Sequence, residues 1–424
     1  MQGAIEELKE KGRAAKEAQR RLARLPRAEK DRALLAIADA LERRQREVLE
    51  HNEADLAEAR AQGMGQAMLD RLMLDAARVS AMAHDVRSVA ALPDPVGEEF
   101  DARLLPNGMH IARRRVPLGV IGTIYESRPN VTVDISSLCL KSGNAVVLRG
   151  GKEAVHSNWI LAGVIKDALW GSGVPGEAVQ FIESTERALV EHMVKMAGTI
   201  DLIIPRGGEQ LVEFVRATAT VPVLASGVGV CHTYVDSSAD VEKAAAIAFN
   251  AKVQRPTVCN ALDTLIVHRD IAAAYLPAIA REWATAGVEM HCDQHALEIL
   301  KAEPGLAIAA ATEDDWGKEF LALVAAVKVV DSLDEAIEHI VRYSSGHSDA
   351  IVTEDYSAAM RFLDEVDSAC VYVNASTRFT DGGQLGLGAE VGISTDKFHA
   401  RGPMGLRELT TYKWVIMGSG QVRP

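Results

Sequence analysis

The chain is poor in the features that mark specialised classes of protein. Aromatic residues are only 5% of its 424 positions, and basic residues are outnumbered, 46 Lys and Arg against 59 Asp and Glu. The formal charge of −13 argues against a nucleic-acid partner, because such binding rests on cations neutralising phosphates. Acidic and basic residues are interspersed, as on an ordinary solvated surface. Cysteine is scarce: Cys139, Cys231, Cys259, Cys292 and Cys370 lie far apart. Scattered, odd-numbered thiols argue against a disulfide framework and predict a reducing, cytoplasmic setting. No apolar run approaches the ~20 residues of a membrane helix. The first 24 residues mix Glu, Lys and Arg with no apolar centre, so neither a secretory signal nor a transit peptide is expected there. Internal repeats, low-complexity tracts and a P-loop pattern are also missing.

What is present is enough apolar residue, 48%, for large cores, and a length that predicts about two or three domains. The N-terminal quarter reads as helices. Ala33, Leu34, Leu35, Ile37, Ala38, Leu41 and Leu49 recur at helical spacing among charges. Two prolines and a glycine in 92–97 break the pattern. Beyond residue 113, apolar runs at 116–125, 145–149, 179–183 and 200–205 predict strands, with helices over 131–141, 153–170 and 186–197. A second set of strand-like runs follows at 230–235, 262–268, 323–330, 350–353 and 370–374. Alternation of strand and helix predicts parallel sheets with helices on both faces, and two such sets predict two doubly wound α/β lobes with a cleft between them. Residues 98–116 are too polar for a core strand. They fit either a hairpin reaching to a partner subunit or a plain surface loop.

Among the thiols, Cys259 stands apart. It lies in Val253-Gln254-Arg255-Pro256-Thr257-Val258-Cys259-Asn260-Ala261, between a helical run and an apolar run. Pro256 stops the helix and stiffens the connector. A cation such as Arg255 favours the thiolate, and a thiolate can hold an acyl group as a thioester. Cys139, Cys231 and Cys370 lie in apolar patterns and are expected in cores. The cluster His291-Cys292-Asp293-Gln294-His295 offers ligand types but no second half of a metal motif, so a polar loop is expected and no metal. Two glycine turns, Arg149-Gly150-Gly151-Lys152 and Pro205-Arg206-Gly207-Gly208, each follow a strand and open a helix. Such turns can present N–H groups to phosphate, or they can be tight turns and nothing more. Arg149 and Lys152 add the positive charge that suits a 2′-phosphate, hence NADP over NAD. Asn130, in Glu126-Ser127-Arg128-Pro129-Asn130, sits where it could cap a helix or donate to an oxyanion.

Four segments together resemble the aldehyde dehydrogenase superfamily. They are Tyr125-Glu126-Ser127-Arg128-Pro129-Asn130-Val131-Thr132, the stretch 140–151, Gln254-Arg255-Pro256 through Leu262, and 386–394 with its continuation His399-Ala400-Arg401-Gly402-Pro403. The likeness is greatest to the branch that reduces L-glutamyl 5-phosphate. Phe398 departs from it, where Leu is expected. The resemblance implies an aldehyde dehydrogenase-like fold. A cofactor domain would span 1–97 and 117–226, and a catalytic domain 227–395. An oligomerisation hairpin and return segment would be formed by 98–116 and 396–424. It implies Cys259 as nucleophile, Asn130 in the oxyanion hole, Arg149 at the adenosine ribose and Glu319 at the nicotinamide ribose. Hydrolytic relatives carry a general-base glutamate where this chain has Leu224-Ala225-Ser226-Gly227-Val228-Gly229, with no carboxylate. A thioester should therefore outlive attack by water. The implied reaction is NADPH-dependent reduction of the acyl phosphate through the Cys259 thioester, giving a semialdehyde that cyclises toward proline. The implied assembly is a homo-oligomer. With no P-loop, the labile substrate would come from a separate glutamate 5-kinase. Arg128 and Arg255, and the late-loop residues Arg378, Asp381, His399 and Arg401, are candidates for substrate binding; solvated surface is the alternative for the late four. A coenzyme A-acylating dehydrogenase and a non-catalytic binding protein are the rival functions.

Overall fold

A computed structural model describes residues 2–225 and 227–423; Ser226, inside the 224–229 stretch and at the expected domain boundary, lies outside the described residues. The chain forms two compact units, one of residues 1–226, 386–392 and 404–424, the other of 227–385 and 393–403.

The first unit opens with five helices: α1 (Gln2–Leu22), α2 (Arg27–Arg43), α3 (Gln45–Ala61), α4 (Gln66–Leu72) and α5 (Ala76–Ala91). The predicted stripe lies on α2, where Ala33, Leu34, Ile37, Ala38 and Leu41 are buried while Leu35 is exposed. Asp75 starts α5 by accepting from the Arg78 N–H, an N-cap that satisfies one orphan donor. Residues 98–116 do form a hairpin, β1 (Glu99–Leu104) and β2 (His110–Pro117). The predicted strand over 116–125 is in fact two, because β2 ends at Pro117 and β3 (Val120–Tyr125) begins after Gly119, whose φ of 134° turns the chain. Then follow α6 (Asn130–Lys141), β4 (Ala145–Gly150), α7 (Val155–Gly171), β5 (Val179–Phe181), α8 (Ala188–Val194), β6 (Leu202–Arg206) and α9 (Glu209–Thr218). The four parallel strands stand in the order β5-β4-β3-β6. All six residues of β3 and of β4 are buried, which explains their unbroken apolar character. From β3 the chain steps outward to β4 and β5, then returns to β6 on the other side. Such a reversal leaves a crevice at the carboxyl ends of the strands.

The second unit runs β7 (Cys231–Val235), α10 (Val241–Val253), β8 (Leu262–His268), α11 (Arg269–Thr285), β9 (Glu289–Cys292), α12 (Gln294–Leu300), β10 (Ile308–Ala310), β11 (Val324–Val330), α13 (Leu333–Tyr343), β12 (Ser348–Val352), α14 (Tyr356–Glu365), β13 (Cys370–Val373), β14 (Ile393–Ser394) and β15 (Gly402–Pro403). Seven strands make a sheet in the order β10-β9-β11-β8-β7-β12-β13, every pairing parallel. Trp283, Tyr275, Leu276 and Ile279 of α11 pack one face; Ile337 of α13 and Phe362 of α14 pack the other. Cys231 is buried as expected, whereas Cys370 is half-buried because β13 is an edge strand. The 291–295 cluster is not a loop. His291 and Cys292 end β9, and Asp293 caps α12 by accepting from the Ala296 N–H. Cys292 belongs to the core, and His291 is held by Asp315 at 2.9 Å and Glu289 at 3.2 Å.

The last strand, β16 (Thr410–Met417), returns to the first unit and pairs antiparallel with β2 from Thr410↔Pro117 to Met417↔His110.

Candidate active site

In the second unit, Pro256 ends α10 and the chain makes a tight turn before β8, with the Ala261 N–H donating to the Val258 carbonyl at 3.0 Å. Cys259 and Asn260 occupy the tip of that turn. Three features fix it. The Cys231 thiol, rising from β7, donates to the Cys259 carbonyl at 3.2 Å. The Asn260 amide donates to the Thr380 carbonyl at 2.8 Å, and Thr377 Oγ1 donates to the Asn260 carbonyl at 2.8 Å. Gly229 lies against the turn so closely that a Cβ there would stand 1.9 Å from the Cys259 carbonyl oxygen. The backbone at Cys259 is thus clamped while the residue itself is half-buried.

Cations surround this turn. Arg378 bridges both ends of the loop, its Nε donating to Gln254 Oε1 at 2.7 Å and its Nη1 to Asn260 Oδ1. Burial first, and the neighbouring Arg255 second, lower the Arg378 pKa from its ordinary value, while the Cys259 thiol and Asp381 oppose the shift. Arg255 and Arg378 therefore share one electropositive neighbourhood with the thiol, the setting that favours thiolate and attracts phosphate. Glu319 reaches the same place: its Oε1 accepts from the Gly229 N–H at 3.1 Å. Arg401, by contrast, is committed to Asp367, to which it donates at 2.6 Å from Nη1, and Lys397 pairs with the same carboxylate. His399 is exposed.

In the first unit, the residues expected at a cofactor gather at the carboxyl ends of β3, β4 and β6, where Tyr125 stands beside Gly150 and Arg206. Arg149 is buried; its Nη2 donates to the Thr185 carbonyl at 2.9 Å, and its Nε has no hydrogen-bond partner among the described residues. Lys152 is exposed. Both glycine turns already carry a carboxylate of the chain. Glu153 folds back over Gly151 and accepts from the N–H and Oγ of Ser127 at 2.6 and 2.9 Å. Glu126 accepts from the Gly208 N–H, at the start of α9, at 3.1 Å. The α9 N-terminus behind Pro205 and Gly207 is thus supplied with an anion from within. Ser127 holds a left-handed φ of 49°, an unusual state for a residue with a side chain, and the two bonds to Glu153 stabilise it.

Asn130 does not cap α6. It is the first helical residue, after Pro129, and its Nδ2 donates to Asp134 Oδ2 at 2.8 Å. Arg128, just before, is exposed. The contacts made here by Asp134, Glu153, Glu126, Gly229 and Cys231 were not foreseen in the sequence. Only Asp134 left a trace, being four residues beyond Asn130 and so on the same helix face.

Comparison with known proteins agrees on one family. The model of the aldehyde dehydrogenase family matches residues 2–297 and 310–415. The chain is 59% identical over 423 residues to the gamma-glutamyl phosphate reductase of Dehalococcoides mccartyi strain CBDB1, covering 100% of both chains. It is 52% identical over 416 residues to the gamma-glutamyl phosphate reductase of Escherichia coli O1:K1 / APEC, covering 98% of this chain and 100% of the other. Among solved structures, the gamma-glutamyl phosphate reductase of Thermotoga maritima superposes with a TM-score of 0.96 at 50% identity, covering 99% of this chain and 100% of that one.

Proposed function

The chain belongs to the aldehyde dehydrogenase family, and from that premise we propose that it reduces L-glutamyl 5-phosphate to L-glutamate 5-semialdehyde and phosphate. The observation that carries this reading is the clamped turn at Cys259, which holds a half-buried thiol near the guanidinium group of Arg378, itself a neighbour of Arg255. Cys259 thiolate attacks the acyl carbon, the carbon–oxygen bond to phosphate breaks, and a thioester remains on Cys259. Arg255 and Arg378 take the departing phosphate's charge. Asn130 and backbone N–H groups at the turn stabilise the tetrahedral oxyanion, each donor worth roughly 10²–10³ in rate.

A reduced nicotinamide bound at the glycine turns would supply the hydride that the thioester on Cys259 needs. The resulting thiohemiacetal on Cys259 then expels the thiolate and leaves the aldehyde. The residues present fit such a cofactor. Arg149 has a buried donor with no hydrogen-bond partner among the described residues at the carboxyl ends of the strands, and with Lys152 it favours NADPH. Glu319 is assigned the nicotinamide ribose. Gly150, Gly151, Pro205, Arg206, Gly207 and Gly208 shape the turns around the dinucleotide. Arg128 is kept as a substrate contact; His399 and Arg401 are weaker ones, Arg401 because Asp367 already holds it. The chain works as a homo-oligomer, fed by a separate glutamate 5-kinase.

The test is NADPH formation from glutamate 5-semialdehyde and NADP at varied inorganic phosphate, with wild type and Cys259→Ala. Phosphate-dependent turnover that disappears in the variant is the expected result. Turnover that ignores phosphate, or survives the substitution, overturns the route through Cys259.

A further inference from the structure

We infer that Asp134 is a positioning residue that sets which end of the Asn130 amide faces the substrate. The inference rests on the oxyanion role given to Asn130 above. An amide side chain has a donor end and an acceptor end of nearly equal shape, and only the donor end can stabilise an oxyanion. Something must therefore choose between the two orientations. Asn130 and Asp134 are four residues apart on α6, on one helix face, and Nδ2 of Asn130 donates to Asp134 Oδ2 at 2.8 Å. An ionised carboxylate can only accept. It therefore holds the NH₂ end and rejects the carbonyl end, leaving the second N–H of the same group for the oxyanion. A flipped Asn130 would set its carbonyl oxygen against the carboxylate and a second acceptor against the developing negative charge.

Protonation of Asp134 removes the choice, since its O–H could donate to the Asn130 carbonyl. Three elements place charged or polar groups around this carboxyl: Asn130 on its own helix, Asp85 on α5 and Arg206 on β6. Burial above all, with Asp85 adding to it, raises the Asp134 pKa from the usual carboxylate range to about 7, against the pull of Asn130 and Arg206. The orienting contact is thus at full strength only above neutral pH.

The experiment compares Asp134→Asn, Asn130→Ala and the double variant in steady-state kinetics from pH 6 to 9. Asparagine at position 134 can present either end and so no longer selects. Asp134→Asn is expected to lower kcat roughly ten- to a hundredfold, leave KM for the semialdehyde near wild type, and abolish the acid limb near pH 7. The double variant should be no slower than Asn130→Ala alone, because Asp134 acts only through Asn130. Should Asp134→Asn fail to fold, as judged by its thermal transition, Asp134→Ala carries the same comparison. Additive losses, or a variant with wild-type kcat and an unchanged acid limb, overturn the inference while leaving the role of Asn130 intact. If Asn130→Ala itself keeps full kcat, the oxyanion role fails and the inference falls with it.

Discussion

At the scale of single residues, Gly229 is present because no side chain fits. A Cβ would stand 1.9 Å from the Cys259 carbonyl oxygen and 2.7 Å from its Cα, and backbone cannot swing aside as a flexible side chain can. Gly229→Ala must therefore push the turn that bears Cys259, the proposed nucleophile, and a displacement of about 1 Å can cost ~10² in rate. The expected outcome is a kcat at least tenfold lower, measured by the same NADPH formation; an unchanged kcat would show that the turn tolerates movement. Cys259 was legible in the chain because proline, arginine and the change from helical to strand pattern are all local signals. Gly229 was not, since its partner is 30 positions away and glycine pairs are common in turns. Asn130 was found, but its true partner was misjudged: the capping position is decided by where the helix starts, and α6 starts one residue earlier than a cap would need.

At the scale of elements, buried histidine at the head of β12 ties stability to pH. His347 is fully buried, with Nδ1 at 2.8 Å from Ser348 Oγ. Burial lowers its pKa to about 4, with Asp349 opposing. An unfolded histidine takes up a proton below about 6.5, whereas the folded one stays neutral until about pH 4. Between those values the unfolded state binds more protons, so the stability that His347 contributes at neutral pH is lost as pH falls through that window. Urea midpoints of wild type and His347→Gln at pH 7.5, 6 and 5 should therefore converge as pH falls, with the variant the weaker at pH 7.5. A pH-independent gap would sink the idea. His339 acts in the same direction, its pKa being lowered to about 3 chiefly by burial, so the His347→Gln variant retains some acid sensitivity. The strands themselves were legible where they are buried on both faces, as in β3, β4 and β8. The short strand β9 was not, because polar residues such as His291 alternate with the buried ones and mimic a loop; β10 was not, because its three residues Ile308–Ala310 are too short a run to show a period.

At the scale of the whole molecule, the three-stranded sheet β1-β2-β16 carries Leu104, Tyr412, Trp414, Ile416 and Met417 exposed. Exposed apolar side chains in one sheet mark an interaction surface, and the proposed homo-oligomer would use it. Ile416→Glu with Trp414→Glu should give a smaller species than wild type by light scattering, with the Cys259 turn undisturbed because it belongs to the other compact unit. An unchanged mass would remove this sheet from the assembly.

The sequence by itself determined what is periodic or local: two sets of alternating strands and helices, the stiff loop that bears Cys259 between α10 and β8, and the polar character of 98–116, whose choice between hairpin and loop it left open. Spacings of two and 3.6 residues are written along the chain and need no distant partner to be read. The tertiary structure alone decided the rest. It brought β16 back to β2 across almost 300 positions, set Gly229 against Cys259, turned the Gly208 N–H onto Glu126 and folded Glu153 onto Ser127. It also raised the proton affinity of Asp134, because desolvation and close approach are sums over neighbours remote in sequence, and no single stretch of chain contains them.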